Sequence, residues 1–64
     1  MKYEHDGQEL RLDVEEGEKD LGVYALSITR WRPSGEIVRA DERARIIKDI
    51  EEALTTLNVP FAIL

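Results

Sequence analysis

The stretch Arg30-Trp31-Arg32-Pro33-Ser34-Gly35-Glu36 sets the only tryptophan of the chain between two arginines. An indole presents a flat apolar face, and a guanidinium presents planar donors that match carboxylates and phosphates. Two chemistries suit such a trio. Trp31 can stack on a base, a ligand or a partner side chain while Arg30 and Arg32 hold anions. It can equally anchor a protein interface, where Trp and Arg are enriched. The plainer reading is structural. In a chain with one Trp, one Phe and two Tyr, a lone indole more often plugs the core at a corner between elements.

Other reactive side chains do not assemble into a catalytic pattern. His5 is the only histidine and lies beside a turn, where imidazole is ordinarily solvated. Ser27 and Ser34 lack the histidine or lysine partner that would make either a nucleophile. Glu51 and Glu52 are adjacent, so on a helix they point about 100° apart and do not share a substrate. Glu15, Glu16 and Glu18 surround Gly17 without the graded oxygen spacing of a calcium loop, which reads as a solvated acidic loop. Gly17 and Gly22 belong to no phosphate-cradling loop or dinucleotide fingerprint. The expectation is a protein that is not an enzyme, with no catalytic residue, no cofactor and no metal.

Charge is unevenly spread. Residues 1–29 carry eight acids and three bases, residues 30–48 six bases and three acids, and residues 49–64 three acids and no base. The net charge of −5 repels nucleic acid at long range and steers toward a basic protein partner. Candidate contacts are Glu15, Glu16 and Glu18 on the acidic side and Arg30, Trp31, Arg32 and Arg39 at the basic corner. The competing reading of this charge is solubility alone. A composition of 42% hydrophobic residues is too apolar for a disordered chain. The absence of cysteine removes disulfide and thiolate-metal support, so a 64-residue domain must rely on packing or on a partner. No apolar run approaches the ~20 residues of a membrane span, and the first ten residues hold no apolar leader. These features predict one cytoplasmic domain over residues 1–64.

The elements follow from turn residues and periodicity. Asp6-Gly7 between extendable segments predicts a hairpin, and Leu10, Leu12 and Val14 alternate with Arg11, Asp13 and Glu15 as a half-buried strand. Leu21 to Trp31 reads as a long strand with Tyr24, Leu26 and Ile28 on one face. Arg30 then holds the apolar parity while Trp31 does not. Either a bulge swaps the faces near Thr29, or Trp31 lies away from the main core. Pro33 and Gly35 end that strand. Asp41 is the expected N-cap of a helix with apolar residues at 46, 47, 50, 53, 54 and 57, closed by Asn58 and stopped by Pro60. The uncharged Val59–Leu64 is the final strand, packed on the fold or paired with a second chain in a homodimer. The predicted fold is α+β: one small, mainly antiparallel sheet in the order β-β-β-α-β, with one amphipathic helix packed on one face.

Trp31-Arg32-Pro33 ending a strand, followed by Glu42-Arg43-Ala44-Arg45-Ile46 opening an Ile- and Leu-rich helix, resembles a family of small bacterial immunity proteins of polymorphic-toxin systems. The resemblance extends over most of the chain, including Leu12-Asp13-Val14-Glu15. It implies a non-catalytic protein that neutralises a cognate toxin by binding it. Two other functions remain open. One is a nucleotide- or nucleic-acid-binding module using Arg30, Trp31, Arg32, Arg39, Arg43 and Arg45. The other is a homodimeric domain held by Val59–Leu64.

Overall fold

Asp6 and Gly7 adopt φ of 50° and 75°, the paired positive values that a tight hairpin turn requires. They join β1 (Lys2–His5) to β2 (Gln8–Arg11), with Tyr3 opposite Leu10 and His5 opposite Gln8. The computed structural model describes all residues, 1–64. The alternation that begins in β2 continues past it, with Leu10 and Leu12 buried and Val14 half-buried. The ladder does not continue with it. After Leu12 and Asp13 the chain enters β3 (Val14–Glu16), which pairs antiparallel with β4 (Leu21–Val23). The class is α+β as expected, but the strands form two sheets, β1-β2 and one in which β4 lies between β3 and β5 (Phe61–Ile63), in the order β-β-β-β-α-β. Period-two patterning decides which face of a strand is buried; it does not decide which neighbour the strand pairs with.

The long strand expected from Leu21 to Trp31 stops at Val23. The Ser27 hydroxyl donates to the Tyr24 carbonyl at 2.6 Å and accepts the Asp13 N–H at 2.8 Å. These bonds offer the backbone an alternative to the ladder, and Ala25–Ser27 forms a 3-10 turn. The turn resets the side-chain phase. Tyr24 and Leu26 are exposed, whereas Ile28 is buried and Trp31 reaches the core at 7% exposure. A second switch of faces lies between Ile28 and Trp31, which are both buried three residues apart with Thr29 and Arg30 exposed between them. Thr29–Trp31 then runs antiparallel to Glu36–Val38, with Val38 N–H on the Thr29 carbonyl and Trp31 N–H on the Glu36 carbonyl, both at 2.8 Å. The Arg32–Pro33 peptide at the tip is cis. Arg32 and Glu9 exchange backbone hydrogen bonds at 2.7 and 2.8 Å, which pins this corner to β2.

Helix α1 spans Ala40–Thr56, and its N-cap is Arg39 rather than Asp41. The extended segment before it buries Val38, so the helix starts directly afterwards. The Arg39 N–H donates to Glu42 Oε1 at 3.2 Å, and the Arg39 carbonyl accepts the Arg43 N–H. Asp41 sits in the first turn, where its charge suits the helix dipole. At the other end Asn58 takes φ 58°. Its N–H reaches the Thr55 carbonyl, and the Val59 N–H reaches the Leu54 carbonyl, a Schellman closure. Ile46, Ile50 and Leu54 enter the core with Leu10, Leu12, Val23, Ile28, Trp31 and Val38. The buried stripe is narrower than the periodicity suggested, since Ala53 and Leu57 are exposed. β5 (Phe61–Ile63) then lies parallel to β4. No helix is long and apolar enough to cross a membrane.

Candidate functional site

Trp31 belongs to a scaffold junction. Its ring lies 6.3 Å from that of Tyr3 at a tilt of 47°. The Tyr3 hydroxyl donates to Asp49 Oδ2 at 2.7 Å, tying the first hairpin to the helix. That hydrogen bond, with some burial, pushes the Tyr3 pKa up to about 12. Trp31 also borders a groove of about 180 Å³ whose other walls are His5, Asp6, Gln8, Glu36 and Glu42. The groove is acidic, and neither flanking arginine enters it. Arg30 Nη1 instead donates to the Gly35 carbonyl at 3.0 Å, and Arg32 faces an open polar cleft at the hairpin tip. Arg39 is exposed, its Nε 3.8 Å from Asp41. A base-stacking platform framed by cations is not what these side chains build.

The acidic candidates occupy a separate edge. Glu15 and Glu16 lie on β3, opposite Gly22 and Leu21, and Glu18 lies in the exposed loop beyond. Glu15 Oε2 accepts the Tyr24 hydroxyl at 2.6 Å, which raises the Tyr24 pKa. His5 Nε2 is 3.2 Å from Asp6 Oδ2 on the exposed hairpin tip. No three His, Asp or Glu side chains converge at metal-holding distance. The seven residues singled out in the sequence therefore fall in three places: the Trp31 corner, the helix start at Arg39 and the β3 edge with its loop.

A further surface lies along β5. The Leu21 N–H donates to the Pro60 carbonyl, the Leu64 N–H to the Val23 carbonyl, and the Ala25 N–H to the Leu64 carbonyl. Ladder alternation then directs the backbone groups of Phe61 and Ile63 outward, away from β4. Beside this free edge runs a groove of about 530 Å³ lined by Lys48, Glu51, Glu52, Thr55, Thr56 and Phe61. Edge strands are commonly guarded by charge, bulges or proline. Here Pro60 precedes the strand, and no charged side chain occurs from Ala53 to Leu64. Sequence reasoning marked Val59–Leu64 but set Glu51 and Glu52 aside as a poor catalytic pair. The readable signal was an uncharged strand following an acidic helical turn. Compared with protein-family models, curated proteins and solved structures, the chain matches none.

Proposed function

We propose that this protein is a non-catalytic module that binds a protein partner stoichiometrically, a toxin neutralised by direct contact being the partner class. The observation that carries the reading is apolar exposure. Leu26, Ile37, Leu57 and Leu64 are 79%, 65%, 71% and 56% exposed on a chain that buries only ten residues. The Ala25 N–H on the Leu64 carbonyl brings the segments of Leu26 and Leu64 together, and adjoining exposed apolar residues favour a surface that a partner covers. The net charge of −5 supports a partner of opposite sign and an association rate that falls with salt.

The test is tagged purification from source cells at low ionic strength, followed by reconstitution of the recovered protein with the pure chain. Calorimetry is expected to give a 1:1 complex. Expression of the partner alone is expected to slow growth, and coexpression to restore it. A recovered protein that does not rebind in pure form removes the binding reading, and a partner harmless to cells removes the toxin reading. The outward backbone of β5 favours one other reading, a homodimer through Val59–Leu64. Sedimentation showing monomer at high micromolar concentration excludes it.

A further inference from the structure

We infer that the groove between α1 and the β5 edge receives an extended, basic segment of the partner, which adds as a strand beside Phe61–Ile63. This inference rests on the protein-binding reading above and assigns its site.

Three observations place the segment there. The outward N–H and C=O groups of Phe61 and Ile63 form a template for main-chain pairing. Phe61 is half-buried and is the one hydrophobic residue lining the groove, so an apolar side chain of the incoming strand has a surface to cover. The helix wall carries Glu51 and Glu52 against the single cation Lys48. Side chains of an added strand alternate between faces. Those on the groove side meet carboxylates, threonine hydroxyls and the Phe61 ring in turn.

Charge selects between occupants. Residues 49–64 hold Asp49, Glu51 and Glu52 with no base, so this wall offers only anions beyond Lys48. A second copy would bring the same carboxylates and a further net charge of −5. Like charges across an interface oppose association, whereas lysines or arginines at alternate positions complete it. The occupant is therefore a basic strand of another protein.

The probe is a fluorescein-labelled eight-residue peptide alternating lysine and valine, with a glutamate–valine peptide of equal length as its counterpart. Anisotropy titrations with the full chain are expected to show binding of the basic peptide, weakening as salt rises, and none of the acidic one. Ile63→Pro removes an outward donor without touching the hydrogen bonds to β4, and is expected to abolish binding. The double variant E51K/E52K keeps the edge and is expected to weaken binding about tenfold, the scale of two lost pairs and two new repulsions. It also serves if Ile63→Pro fails to fold. Equal binding of both peptides overturns the inference, as does indifference to E51K/E52K. Self-association lost in Ile63→Pro, without peptide binding, assigns the edge to a second copy instead. If the reconstituted natural complex survives both variants, the docking site is wrong while the binding function stands.

Discussion

Replacing Tyr3 with phenylalanine deletes one hydroxyl from the junction that joins the first hairpin to the helix. The ring and its packing on Trp31 are retained, so the loss reports the hydrogen bond to Asp49. A hydrogen bond to a charged group contributes about 1.5–3 kcal/mol when shielded. The rise of the Tyr3 pKa from 10.0 to about 12 sets a similar ceiling, ~2.7 kcal/mol at 1.36 kcal/mol per unit. This pair faces water, and screening lowers the expected cost to about 1 kcal/mol. On a domain of this size that is a fall in Tm of about 4–8 °C. The pH dependence gives the sharper test. Because the folded pKa is raised, the contribution is fully present below pH 10 and is lost as pH rises toward about 12. Urea unfolding of both proteins, followed through Trp31 fluorescence, is expected to show the gap at pH 7 and its closure near the folded pKa. A gap of the same size at both pH values, or none at pH 7, refutes the assignment.

Gly22→Ala places a Cβ 2.8 Å from Leu64 Cδ1, a mobile end on a residue 56% exposed, so thermal unfolding should show a loss below about 1 kcal/mol. Gly17→Ala meets the Asp20 carbonyl oxygen at 2.9 Å, part of a backbone pair, and is expected to cost more in the same assay. Asn58→Gly should leave stability unchanged or raise it, whereas Asn58→Ala loses about 1 kcal/mol in urea titration, because φ at this position is 58°. Trp31→Ala empties a core position at 7% exposure and costs about 3–5 kcal/mol, enough for near-ultraviolet circular dichroism to report loss of tertiary packing.

Local chemistry was legible where a single residue determines the backbone. Asp6-Gly7 and Asn58 require positive φ and have it, and the helix lies where its apolar spacing placed it. Partner choice was not legible. Leu10, Leu12 and Val14 keep one alternating pattern, yet the first is in β2 and the last in β3, because ladder pairing is set by distant segments. Ser27 was the quiet determinant. Its hydroxyl holds the 3-10 turn, and propensity over Leu21–Trp31 gave no sign that one side chain would interrupt the strand. The start of α1 was displaced for a similar reason, since burying Val38 fixes where the chain must turn. Among the candidate site residues, Trp31 was seen correctly as a corner, but its arginines turn away from the groove it borders. The β5 groove takes Glu51, Glu52 and Phe61 from segments whose meeting no sequence spacing encodes.

The central strand β4 gathers its two neighbours from very different distances along the chain. β3 closes on it through a loop of a few residues, whereas β5 arrives only after the 3-10 turn, the Trp31 corner and the whole of α1. Closing the longer loop costs more chain entropy, and non-local pairs form later. β5 is therefore the least local ladder of the three-stranded sheet and the one whose pairing costs the most chain entropy. An occupant strand on its outer edge would hold that ladder shut, slowing amide exchange at Leu21 and Ala25, whose N–H groups are spent on the terminal segment.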